Sequence, residues 1–153
     1  MIVSDSTTLI ILLDLERMDL LTNLFEQIII PQTVYTEITA KKPIPLTPFI
    51  SVRNVEDTPL LDTLTSLLDQ GESEAIALAL ELEMPLIIDE KKGRKIALNQ
   101  GIRIIGLLGI VYLNIKKGYL SEEEAKTFLD DALTHGYRIS CVLINTMFAS
   151  LSQ

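Results

Sequence analysis

PLIIDEKKGRKIA, residues 85–97, passes from wholly apolar to wholly charged at a single peptide bond. Leu86, Ile87 and Ile88 follow one another without alternation, the pattern of a strand buried on both faces. Asp89 and Glu90 come next, and Lys91, Lys92, Arg94 and Lys95 then open a helix expected over residues 90–99. An acid set directly after a buried strand has two readings. It caps the helix that follows, or it faces a ligand at the carboxyl edge of a parallel sheet.

The same design recurs along the chain. MIVS reads as a buried strand that stops at Asp5, followed by an apolar helix from about Thr7 to Leu15. QIII is a second strand ended by Pro31, with a helix expected over 31–40 on the apolar positions Val34, Tyr35 and Ile38. KKPIPLTPFI holds three of the six prolines and reads as a surface loop leading into ISVRNV, an edge strand. Helix resumes near Pro59 on Leu60, Leu61, Leu64, Leu67 and Leu68, and ESEAIALALELE is a helix apolar on most of its surface. IRII, ended by Gly106, is a further strand. LLGIVYLNIKKG, SEEEAKTFLDDALTHG and residues 141–151 complete the helices, with a capping box at Ser121 and Glu124. Short apolar strands alternating with helices define an α/β domain around a mostly parallel sheet.

The totals set limits. A chain of 153 residues suits one domain, 1–153, with a sizeable core. No apolar run approaches the roughly 20 residues that span a bilayer. The N-terminus lacks the basic start of a signal peptide, and Cys141 is the only cysteine, so no internal disulfide forms. A cytoplasmic protein with no membrane role is expected. The net charge of −8 and a pI near 4.6 argue against a ligand held by diffuse phosphate contacts. They leave room for a local basic patch, or for acids gathered until a cation arrives.

Asp5 and Asp89 follow strands that would be neighbours, so both fall at one sheet edge. Glu37 lies in the helix after the second strand, and Glu72 and Glu74 open the helix before the strand at 85–88. Three or four converging carboxylates would take a hard divalent cation, Mg²⁺ or Mn²⁺, through oxygen. Each acid has a plain alternative. Asp5 and Asp89 suit helix caps, Glu37 a solvated face, and Glu72 forms a plausible capping box with Asp69. Glu72 and Glu74 stand about 200° apart around a helix. Glu74 leads into the buried face, where an acid demands a partner, so it is the expected inward carboxylate, with Glu72 a cap or outer ligand.

MIVSDSTTLIILL, IIIPQTVYTEI, GESEAIALALEL, PLIIDEKKGRKIA and IRIIGLLGIVYL occur in the order and spacing of PIN-domain proteins. Over roughly residues 1–120 the chain resembles the bacterial PIN branch of VapC-like toxin ribonucleases. The resemblance implies a three-layer α/β/α sandwich and Mg²⁺- or Mn²⁺-dependent cleavage of single-stranded RNA. It places the family's acids on Asp5, Glu37, Glu74 (less well Glu72) and Asp89, and its small hydroxyl residue on Ser6. Glutamate stands where relatives usually carry the third aspartate. The role of Glu90 stays open.

On this reading the four carboxylates hold one or two cations, while Lys91, Lys92 and Arg94 meet the RNA. Their alternative is a solvated helix face. A small antitoxin would cover the acidic edge, and the helices around 60–68 and 107–115 could form a homodimer face. His135, the lone histidine, sits at a helix end before a glycine and reads as structural. The rival is an inactive PIN-fold module that binds a protein partner. A receiver-type acidic pocket fits worse, for IRIIG is followed by leucines where a lysine is wanted. The last thirty residues suggest no function.

Overall fold

The computed structural model describes residues 1–40, 43–44 and 47–151. Its elements are β1 (Ile2–Ser4), α1 (Ser6–Asp14), α2 (Asp19–Thr22), β2 (Ile28–Pro31), α3 (Gln32–Thr39), β3 (Ile50–Arg53), α4 (Pro59–Thr65) and α5 (Gln70–Leu82). Then come β4 (Leu86–Ile87), α6 (Lys91–Asn99), β5 (Ile104–Ile105), α7 (Leu107–Lys116), α8 (Glu122–Thr134) and α9 (Cys141–Leu151). The strands form one parallel sheet in the order β3-β2-β1-β4-β5.

Side chains alternate across each strand, and the two faces bury different partners. Ile2, Ile28, Ile30 and Ile87 point into a core built with α1, α2, α3, α7 and α8. Val3, Ile29, Leu86 and Ile88 point into a second core with α4, α5 and α6. The result is the expected α/β/α sandwich. With both faces covered, the strands need no polar alternation, which is why they read as unbroken apolar runs.

The ISVR segment is the edge strand anticipated, paired with β2 from Ile50 to Arg53. Pro31 closes β2 in an extended conformation, and α3 starts one residue later. Within the proline-rich loop, Lys41, Lys42, Pro45 and Leu46 lie outside the described residues; Pro43, Ile44 and residues 47–49 carry no helix or strand. The capping box at Ser121 and Glu124 forms in both directions. His135 ends α8, and Gly136 turns out of the helix at φ +95°. No helix among the described residues is long and apolar enough to cross a membrane.

The helices offered as a dimer face are spent mainly inward. Leu61 and Leu64 of α4 and Leu107, Ile110 and Val111 of α7 are buried in the two cores. Asn114, fully buried on α7, donates from Nδ2 to the Leu20 carbonyl at 2.9 Å and accepts from Asn23 at 3.0 Å. It satisfies the end of α2, a helix too short to satisfy itself. Asn114→Ala strands the Leu20 carbonyl in the core, so a loss of about 1–3 kcal/mol in urea unfolding is expected; an unchanged midpoint would show that water replaces the amide.

Candidate active site

The chain leaves β1 toward β2 and β3 on one side, and later returns to add β4 and β5 on the other. The reversal lies between β1 and β4. Loops leaving these two strands diverge to opposite faces and open a crevice between them. Asp5 ends β1 and Asp89 follows β4, with Ser4 level with Ile87, so both carboxylates enter that crevice.

Their environments are opposite. Asp5 is 1% exposed, and neither carboxylate oxygen has a hydrogen-bond partner. It occupies the N-cap position of α1 without a capping bond. Burial pushes its pKa well above the usual carboxylate range, and the charges of Asp89, Asp69 and Glu37 push the same way. The nearby Thr7 N–H draws it down slightly without forming a well-aligned bond.

Asp89, by contrast, is saturated. It accepts from the Thr8 hydroxyl, from the Tyr137 hydroxyl at 2.6 Å, and from the Leu107 N–H at 3.1 and 3.3 Å. Capping of α6 falls to Glu90, whose side chain accepts from Gly93 N–H at 2.8 Å. Asp89 therefore does not cap the helix that follows it. It serves the first N–H of α7 instead, because β4 and β5 are adjacent and bring Gly106–Leu107 beside it. Gly106 permits that approach: a Cβ there would stand 2.5 Å from both Asp89 Oδ1 and Arg94 Nη1.

Glu37 is half-buried and accepts from the Ser6 hydroxyl at 2.9 Å. Burial raises its pKa first, the Ser6 bond opposes this, and Asp69 and Glu74 add to the rise. Of the two acids of α5, Glu74 is buried as anticipated, and its Oε2 accepts from Thr33 at 2.7 Å and from Gln70 at 2.6 Å. Glu72 is the one whose charge is felt with that of Asp5, and its Oε2 is buried without a partner. Burial, the adjoining Asp69 carboxylate, Glu90 and Asp5 push its pKa up to about 9. The expected capping box is thus half formed. Asp69 accepts from Glu72 N–H at 2.8 Å, while the Glu72 side chain turns inward.

Two residues escaped the sequence reading. Asp69 raises Asp5, Glu37 and Glu72 together, and its only sequence signal was that of a cap. Tyr137 reaches Asp89 from the segment after α8, and nothing local in THGYR signals it. Of the cations, Lys91, Arg94 and Lys95 line a cleft beside Asp89, whereas Lys92 is not among its walls. Arg94 donates to the Ile88 carbonyl at 3.1 Å.

Among the described residues, no three acid, histidine or cysteine side chains stand close enough to chelate an ion as they lie. The donor chemistry nevertheless fits a hard divalent cation: every candidate is a carboxylate, both oxygens of the buried Asp5 are unpartnered, and so is the buried Oε2 of the half-buried Glu72. A cation on Asp5 would remove the desolvation and repulsion that now raise its pKa.

A family model, DUF3368: PIN domain, matches residues 1–153. The chain is similar to a solved structure of a PilT N-terminus domain protein, SSO1118, from the archaeon Sulfolobus solfataricus P2. The two are 19% identical at a TM-score of 0.49, over 92% of this chain and 100% of that one. No curated protein matches.

Asp5 binds its proton more tightly folded than unfolded, so it destabilises the fold progressively as pH rises from about 3.9, the unfolded value, through its raised folded value. Asp5→Asn should therefore melt higher than the natural chain in EDTA at pH 7, with the gap closing below about pH 4. Equal melting curves at both pH values would mean that the carboxylate is solvated. A methyl at Gly71 would collide with Glu37 Oε1, the far end of a flexible side chain. Gly71→Ala should keep or raise stability by up to ~1 kcal/mol, yet displace Glu37 and weaken stabilisation by Mn²⁺ in thermal melts. Mn²⁺ stabilisation equal to that of the natural chain would remove Glu37 from the site.

Proposed function

The chain belongs to the PIN-domain family DUF3368, whose members are generally nucleases, and from that premise we propose that it is a Mg²⁺- or Mn²⁺-dependent ribonuclease acting on single-stranded RNA. The observation that carries the reading is the pair at the switch point: a buried, unpartnered Asp5 beside a rigidly held Asp89. A protein keeps an uncompensated buried carboxylate at a cost in stability, and a cation site is what such a group serves.

In this reading Asp5, Glu72, Glu37 and Asp89 would hold the cation, while Glu74 joins α5 to α3 through Thr33. A bound divalent cation lowers the pKa of a water and offsets charge on the phosphate. Ser6 orients Glu37. Asp89 is fixed from three sides, so its carboxylate stands at a defined place, and it would give up one of those hydrogen bonds to a bound cation. Water adds to phosphorus and the RNA ester P–O bond breaks, the departing oxygen taking up a proton. Lys91 and Arg94 lie beside the crevice, where they can neutralise flanking phosphates and offset the repulsion of a chain carrying −8.

The finer proposals follow the resemblance to VapC-like enzymes: a cytoplasmic toxin restrained by a small antitoxin, working as a homodimer. A second reading, an inactive module that binds a protein partner, is favoured by one observation. The hydrogen bonds on Asp89 leave it little capacity for an ion.

The deciding experiment is cleavage of labelled single-stranded RNA in Mg²⁺, in Mn²⁺ and in EDTA. Cleavage that needs the metal and falls at least about 100-fold in both Asp5→Asn and Asp89→Asn, with circular dichroism unchanged, is the expected result. No cleavage in either metal, together with no metal-induced stabilisation, would favour the inert module.

A further inference from the structure

A cleft of about 870 Å³ opens from Asp89 and runs between α6, β5 and α9. Its charge is opposite to that of the molecule. Lys91, Arg94, Lys95 and Arg138 stand in its walls, and Asp89 is the one acid among the described lining residues. Four cations gathered on one side of a chain of net charge −8 create a local field for an anion. The rest of the lining is largely apolar: Leu98 and Leu143, 58% and 55% exposed, share it with the half-buried edge strand β5. Tyr112 adds an aromatic ring.

Cations at the rim over an apolar and aromatic floor suit a single nucleic-acid strand, whose phosphates face out while its bases seek flat apolar contact. A second copy of the chain related by a two-fold axis would set these cations against one another. An acidic polypeptide could cover the leucines, but would need several matched carboxylates, and it would not account for a cleft that Asp89 lines. We propose that this cleft holds the nucleotides on one side of the scissile phosphate of a single-stranded RNA, with Lys95 and Arg138 on its phosphates and the Leu98–Leu143 floor under its bases. The inference rests on the nuclease reading and extends it. It assigns a substrate role to Arg138 and to the leading part of α9, which the resemblance over residues 1–120 does not reach.

The test is anisotropy of a fluorescein-labelled oligouridine in EDTA across a salt series, with Mn²⁺-dependent cleavage of the same RNA measured in parallel. Lys95 and Arg138 are exposed, so their alanine variants should fold. Each should lower the slope of log affinity against log salt by about 0.7, the value of one single-strand phosphate contact. Lys117→Ala, at the exposed end of α7, should leave the slope unchanged. If the natural chain binds and cleaves while both variants keep its slope, the cleft assignment is overturned and the nuclease reading stands. Expected slopes without any cleavage would support the cleft and sink the catalytic reading. No RNA binding by the natural chain would overturn the cleft. An acidic leucine–glutamate peptide that binds, and is lost in Arg138→Ala while RNA slopes do not move, would transfer the cleft to a polypeptide partner.

Discussion

The carboxylate of Asp89 joins parts of the chain that share no other polar contact at this point. Thr8 comes from α1, Leu107 from the start of α7, and Tyr137 from the turn after α8. A single acid thereby fixes how three segments meet at the end of β4. All three donors converge on its two oxygens, Tyr137 at 2.6 Å and the Leu107 N–H at 3.1 and 3.3 Å. Burial and the adjoining Asp89 carboxylate both raise the Tyr137 pKa, so the phenol stays protonated and remains a donor.

Asp5, one strand away, receives none of this. The difference is topological. β1 is the central strand, flanked by β2 and β4, and the charges that bear on the carboxylate at its end are those of other acids. Asp69 and Glu72 arrive from the start of α5, Glu37 from α3, and Asp89 from β4. A hydrophobic core this complete could have been closed over an asparagine at lower cost. Glu72 Oε2, likewise buried without a partner, carries a cost of the same kind.

Charge is divided between the two sides of Asp89. Toward α5 the crevice is acidic. Toward α6 and α9 it carries lysines and arginines over exposed leucines. An overall charge of −8 therefore conceals a local reversal, and arguments from pI alone miss it. The segment after residue 120 matters for the same reason: it supplies Tyr137 to one side and Arg138 to the other.

By itself the sequence determined the layers, the parallel sheet and the placement of Asp5 and Asp89 at one edge. Unbroken apolar strands can only be buried on both faces, and an acid directly after such a strand has nowhere else to go. The helices followed from spacing, and the Ser121 cap from a local motif. What only the tertiary structure decided were contacts between residues far apart in the chain. That Glu74 accepts from Thr33 while Glu72 Oε2 is buried without a partner depends on how α5 packs against α3. Whether Asp89 caps its own helix depends on the neighbouring strand, which offers it Leu107. Tyr137 lies 48 residues from its partner, and no periodicity carries information over that distance.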